Sequence, residues 1–261
     1  GNLFIIDESS MMDQFIAAKL LSMIPDGAKV VFVGDPDQLP SVGAGNVLRE
    51  MIRSKAVPTT RLSVIFRQAQ DNPIVGNSLK INQGCTNLTF TNTFCFIERS
   101  APEEILRTAC AFYVKAVKKF GLENVILLNP FRNKGLLSVN EFNRQLQNLI
   151  NPPTEEEESI KIRKLEFRPR DLVMQTKNTE IAMNGDIGVI HEISKMPDPD
   201  DMNRWTYIAS IEFNGDGKRH DYTPEMMQDL DLAYCTTVHK SQGSEYQTCL
   251  LYTSPSPRDP K

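Results

Sequence analysis

The sequence predicts an α/β fold of parallel-sheet domains, with a small β-rich module inserted in the second half. Three observations carry that reading. Short, continuously apolar runs at Leu3–Ile6, Val30–Val33 and Val125–Leu128 read as strands buried on both faces, as parallel strands usually are. Stretches between them place apolar residues at helical spacing, as at Met12, Phe15, Ile16, Leu20 and Met23. From Asp171 to Tyr222 the pattern changes to short strands punctuated by Asn184-Gly185 and Asn214-Gly215, dipeptides that favour tight hairpin turns.

Each element has a local reason. Ser10 and Asp13 have the spacing of a capping box and open a helix predicted to run to about Ile24. Asn72 followed by Pro73 reads as an N-cap and first helical residue, with Gly84 as the stop. Thr93–Ile97 reads as a strand. Ser100 and Glu103 form a second capping box, and the helix after it carries Ile105, Ala109, Phe112, Ala116 and Phe120 along one face until Gly121. The strand Val125–Leu128 leads to a helix ending near Ile150, where Asn151-Pro152-Pro153 stops it. Residues 153–169, polar and Glu-rich, read as a surface linker. Strand candidates follow at Leu172–Thr176, Ile187–Ile193, Thr206–Phe213 and Arg219–Tyr222. From Leu230 the α/β character returns, with Ala233–Val238 as a buried strand.

Composition narrows the function classes. The chain has 261 residues and is 40% hydrophobic, which supports a packed core and excludes wholesale disorder. Lys plus Arg number 29 against 33 Asp plus Glu, for a net charge of −4. That excludes a generally basic nucleic-acid binder but not a local basic groove, since Glu155–Glu158 alone supply four of the acids. The five cysteines have no C-x-x-C spacing, which argues against a zinc site or a disulfide framework and for reduced thiols in a cytoplasmic protein. No apolar stretch approaches the roughly 18 residues of a membrane span, so no membrane partner is expected. Despite 14 glycines, no G-x-x-x-x-G-K-[ST] phosphate loop occurs.

Four segments carry chemistry. An apolar strand ending in Asp7-Glu8 suits a magnesium nucleotide: Asp7 serves the metal and Glu8 orients and deprotonates an attacking water. In Gly34-Asp35-Pro36-Asp37-Gln38-Leu39-Pro40, a plain turn needs the Gly, Pro and Asp, but not Gln followed by Leu-Pro. The Gln38 amide can donate to a γ-phosphate and lose that partner after hydrolysis. Arg67, after Val64-Ile65-Phe66, is held where it can reach phosphate bidentately. Thr236 to Glu245 crowds hydroxyls, His239, Lys240, Ser241 and Gly243 at the end of a buried strand. Such groups suit a nucleic-acid backbone. Glu245 is placed to accept from ribose hydroxyls.

In this order and spacing the four segments resemble the motifs of superfamily 1 helicases, most closely the RecD-like branch, which moves 5′ to 3′ along single-stranded DNA. Ile6 to Met11 is similar to motif II, and Gly34 to Leu48 to motif III. Phe66-Arg67-Gln68 is similar to motif IV, and Tyr234 to Glu245 to motif V. Phe142 to Gln147, Asn151-Pro152 and Asn184 to Gly188 also resemble RecD-like stretches.

The resemblance implies RecA-like motor domains of the P-loop NTPase type with an inserted Src-homology-3-like barrel. The expected division is 1–57 for the first motor domain, 58–158 for the second, 159–226 for the barrel and 227–250 for the return to the second. It also implies ATP and Mg2+ as cofactors. Asp7, Glu8, Gln38 and Arg67 would be catalytic, and Asp7, Gln38, Arg67, Gly243 and Glu245 would hold the nucleotide. Leu39, Pro40, Thr237, His239, Lys240 and Ser241 would hold DNA. The implied partners are single-stranded DNA and duplex junctions. The alternatives are a helicase subunit of a multi-subunit exonuclease and a non-hydrolysing relic that only binds single-stranded DNA. The family's phosphate loop and motif VI do not occur in the sequence, so the chain is read as a window cut from a longer protein, inactive by itself. Residues 251–261 are read as a non-native tail.

Overall fold

The computed structural model describes residues 2–62, 72–133, 135–198 and 201–253. By its contacts the chain divides into two units, 1–98 and 99–261.

In the first unit, β1 (Leu3–Ile6) pairs in parallel with β2 (Lys29–Phe32), in the register Leu3↔Lys29 to Ile6↔Phe32. The crossover contains a short 3-10 turn, Ser9–Met11, and α1 (Gln14–Met23). The helix begins later than the Ser10–Asp13 box predicts. Asp13 is itself the N-cap: its carboxylate accepts from Phe15 N at 2.9 Å and Ile16 N at 2.8 Å, satisfying two free donors of the first turn. α2 (Val47–Ser54) is capped by Asn46, and α3 (Pro73–Asn82) by Asn72 with Pro73 as its first residue, the latter as the sequence predicts. The predicted strand Thr93–Ile97 does not form. The Thr91 hydroxyl instead accepts from the backbone N–H of Thr93 and Phe94, both at 3.2 Å, and closes a local turn in place of a ladder.

The second unit is built on a parallel sheet in the order β11-β3-β12. Here β3 is Val125–Asn129, β11 is Cys235–Thr237 and β12 is Thr248–Leu251. The strand β12 therefore takes in Leu251, the first residue of the segment read as a tail. α4 (Pro102–Phe120) and α5 (Val139–Ile150) pack in the same core as β3. The second capping box is not used. Ala101 is the N-cap, held extended because the residue before a proline disfavours helical dihedrals, and Pro102 opens the helix.

The insert runs between α5 and β11. The segment read as a linker contains an antiparallel pair, β4 (Ile160–Ile162) with β5 (Leu165–Phe167), because Ile160 and Phe167 turn inward and are buried. A five-stranded antiparallel sheet follows in the order β10-β6-β7-β8-β9. Its members are β6 (Leu172–Gln175), β7 (Ile187–Asp198), β8 (Asp201–Phe213), β9 (Arg219–Tyr222) and β10 (Leu230–Leu232). So Leu230 does not yet return the chain to the parallel sheet. It pairs with Gln175, and only Ala233-Tyr234 separates this sheet from β11.

One core joins both sheets, with Phe142, Leu146, Val173, Ile190, Ile211 and Tyr234 fully buried in it. At its centre the buried Asp171 carboxylate accepts from Tyr234 OH at 2.7 Å, Asn151 Nδ2 at 2.8 Å, Gln147 Nε2 at 2.6 Å and Arg168 N at 2.7 Å. All five cysteines are free thiols, and among the described residues no helix is long and apolar enough to cross a membrane.

Candidate nucleotide and nucleic-acid sites

In parallel sheets the loops at the carboxyl ends of the strands hold ligands, and both motif-bearing loops of the first unit leave from there. Asp7 and Glu8 follow β1 and are exposed. Glu8 adopts a left-handed conformation, φ 50° and ψ 37°, and its N–H donates to Asp7 Oδ1 at 2.9 Å. The turn is anchored from below by buried Ser9, whose N–H donates to Val33 O at 2.9 Å and whose hydroxyl donates to Ile6 O at 2.8 Å.

The neighbouring loop, Gly34 to Pro40, follows β2. Gly34 has to be glycine: a Cβ there would stand 2.9 Å from Leu48 Cδ2 and 3.0 Å from the backbone nitrogens of Ser9 and Ser10. This close approach sets the two loops side by side. Asp35 closes its own turn by accepting from Asp37 N at 2.9 Å, and Arg49 donates to Pro36 O. Gln38, Leu39 and Pro40 are exposed beyond it. Arg67 and its neighbours lie outside the described residues.

In the second unit, Thr237 ends β11 and His239–Ser241 form a 3-10 turn. The Lys240 N–H donates to Thr237 Oγ1 at 3.4 Å and the Ser241 hydroxyl to Val238 O at 2.8 Å, so Thr237, His239, Lys240 and Ser241 share one compact turn. Gly243 has φ 78° and is exposed, as is Glu245. Burial holds the Lys240 ammonium below its ordinary pKa, against the pull of nearby Asp231.

Sequence reasoning missed three residues here. Asn143 Nδ2 donates to Leu232 O at 2.9 Å and Cys235 O at 3.0 Å, and its Oδ1 accepts from Cys235 N at 2.7 Å, clamping the joint between β10 and β11. Arg132 and Asp231 form an ion pair at 2.6 Å beside Lys240. For Arg132 a signal was present: it follows the end of a predicted strand, as Asp7 and Gln38 do.

A sequence profile of the AAA domain family matches residues 1–98, and one of the ATP-dependent RecD-like DNA helicase SH3 domain matches residues 142–205. The ATP-dependent RecD2 DNA helicase of Deinococcus radiodurans is 33% identical over 252 residues, covering 95% of this chain and 32% of the relative. The chain is thus similar to RecD-like superfamily 1B helicases. A RecD-like relative, the RecBCD enzyme subunit RecD of Mycolicibacterium smegmatis, is 24% identical over 263 residues, covering 94% of this chain and 43% of the relative. The chain thus spans well under half the length of either. The crystal structure of Pif1 helicase from Candida albicans shares the fold, with a TM-score of 0.50 at 17% identity over 96% of this chain and 66% of that one. The RecD-like chain is therefore an α/β, RecA-like protein with an SH3-like insert.

Proposed function

We propose that this chain is motor sequence of an ATP-dependent 5′–3′ DNA helicase acting on single-stranded DNA. The observation that carries the reading is the parallel pairing of β1 with β2, which brings Asp7-Glu8 beside Gly34 to Pro40 at the carboxyl end of one sheet.

The roles follow from the groups. Magnesium takes one or two carboxylates and completes its shell with water and phosphate oxygens. The exposed pair Asp7 and Glu8 fits that demand, and no group of three or more metal-binding side chains occurs among the described residues. Asp7 would hold the ion, which when bound neutralises charge on the β- and γ-phosphates. Glu8 orients the attacking water and takes its proton. Gln38 donates to the γ-phosphate, and Arg67 supplies positive charge to it. Gly243 leaves room for the nucleotide and Glu245 accepts from its ribose. Leu39 and Pro40 on one loop, and Thr237, His239, Lys240 and Ser241 on the other, grip the strand through its backbone without reading its sequence.

The test is Glu8→Gln in the longest open reading frame that contains this chain. ATP binding stays near normal and single-strand-stimulated hydrolysis falls by about a hundredfold or more. Near-normal turnover would remove Glu8 from the mechanism. A second reading, a helicase subunit within a larger exonuclease, is favoured by the likeness to the mycobacterial RecD subunit. Co-purification with nuclease subunits would select it.

A further inference from the structure

Arg132 and Asp231, which the motif resemblance does not account for, form a three-charge group with Lys240 of the motif V turn. Arg132 stands three residues beyond β3 and Lys240 three beyond β11. These strands are parallel neighbours in the register Thr237↔Asn129, so both cations leave the carboxyl end of one sheet. Asp231 arrives from the other sheet, on β10. Its single oxygen Oδ2 faces both cations, 2.6 Å from Arg132 Nη2 and 3.7 Å from Lys240 Nζ. One carboxylate against two cations leaves one positive charge in excess.

The group is held from behind. Asn143 fixes the backbone on either side of Ala233-Tyr234. The Asn129 side chain accepts from Phe131 N at 2.8 Å and donates to Leu137 O at 3.0 Å, fixing the loop that carries Arg132. The Arg132 side chain remains 50% exposed, so an arriving anion reaches it directly.

We propose that Arg132 and Lys240 form a cationic clamp for one phosphate of a bound single strand, and that Asp231 is a built-in competitor, neutralising the clamp until that phosphate takes its place. The proposal deepens the nucleic-acid reading above and rests on it. A half-buried ammonium is stabilised by an anion beside it, and a strand phosphate meets that need as a carboxylate does. An exchange of anions also lets go readily, which a motor that must release its strand at every step requires. A purely structural tie between β10 and the parallel sheet makes the opposite prediction for Asp231, because removing its charge would then loosen the site.

The experiment is a fluorescence-anisotropy titration of the 261-residue chain with labelled oligothymidylate over a range of salt concentrations. Arg132→Ala weakens binding and lowers the magnitude of the log–log salt slope by about 0.7, the value for one phosphate contact on a single strand. Arg132→Lys keeps the charge and keeps the slope. Asp231→Asn tightens binding by roughly two- to fivefold, the range of an exposed ion pair. That gain shrinks in the Arg132→Ala background, because the two residues act on one contact. An unchanged slope in folded Arg132→Ala, or weaker binding by folded Asp231→Asn, overturns the clamp while leaving the nucleic-acid reading in place. If the unaltered chain shows no salt-dependent binding, both fall together.

Discussion

The two units place polar chemistry at the ends of parallel strands, yet they bury those strands and the helices beside them to very different extents. In the first, Leu3, Ile5, Phe15 and Met23 are 55, 65, 70 and 72% exposed, and among the described residues the buried apolar side chains are Met12, Ala17 and Leu48. In the second, Val125, Ile126, Leu127, Phe142 and Leu146 are all 2% exposed or less. The first unit holds its loops through backbone turns, the short-range side-chain bonds of Ser9, Asp35 and Arg49, and the close approach at Gly34. The second holds its loops through buried polar side chains that bridge elements far apart in sequence. A substitution in the second should register first in folding, and one in the first mainly in chemistry.

Asp171 is the sharpest test of that contrast. Asp171→Ala would leave four buried donors facing an apolar methyl and destabilise the second unit by about 4 kcal/mol. Trp205, the chain's one tryptophan, lies on β8, so its fluorescence in a urea titration reports this unit. The pH dependence has a definite sign. Burial raises the Asp171 pKa, against the pull of its four donors. The native state thus keeps the proton to higher pH than the unfolded chain does. That contribution is full below the ordinary carboxylate pKa and is lost as pH rises through the raised native value. Asp171→Asn should flatten that part of the stability profile. A profile as steep as that of the unaltered chain would assign the dependence to another group.

Asn143 comes next in size. Its side chain serves three backbone groups of the β10–β11 joint, and Asn143→Ala should destabilise the second unit by about 2 kcal/mol. A loss below about 0.5 kcal/mol, the scale of an ordinary surface change, would mean that the joint is held by packing around Tyr234 instead, and would narrow the contrast between the units.

The same contrast explains what was legible in the sequence. Where one short-range signal decides the outcome, the reading holds: Asn72-Pro73 opens α3, Gly121 ends α4 at φ 89°, and Arg219–Tyr222 is a strand with the predicted bounds. Where two local signals compete, pattern alone misjudged the winner, as when Asp13 displaced Ser10 and Pro102 overrode the Ser100–Glu103 spacing. Long-range partnerships were not legible at all. Nothing local distinguishes Leu230–Leu232 from the start of the next α/β strand, because its place depends on pairing with β6, more than fifty residues earlier. Arg132 and Asp231 meet across 99 positions for the same reason. The turns of the motif loops were legible because neighbours in sequence make them, whereas the approach of Gly34 to Ser9 and Ser10 that sets two of the loops side by side was not.

In the first unit the expected effects are smaller and local. Asp13→Ala removes the cap of α1 and should destabilise that helix by about 1 kcal/mol. Amide hydrogen exchange should speed up at Phe15 and Ile16, whose N–H groups the carboxylate accepts. Trp205 fluorescence in urea should not respond. A shift in that transition would show that the two units do not unfold separately.

Glu8 is predicted to give the smallest change in stability. A left-handed conformation at a non-glycine residue costs about 1 kcal/mol or somewhat more, and Glu8 adopts one at φ 50°. Glu8→Gly relieves that strain but adds freedom to the unfolded chain, which opposes it by roughly 0.5–1 kcal/mol. The two nearly cancel, leaving the first unit more stable by about 0.5 kcal/mol. Exchange rates at the backbone N–H groups of Ser9 and Val33, which bond across the strand tips, would read the difference. The same substitution removes the carboxylate assigned to the attacking water. In the longer reading frame it should therefore match Glu8→Gln in lost hydrolysis while slightly exceeding it in stability. If Glu8→Gly loses both turnover and protection at Ser9, the carboxylate holds the turn itself, and the division between a chemically sensitive first unit and a structurally sensitive second would fail at the residue where it is drawn most finely.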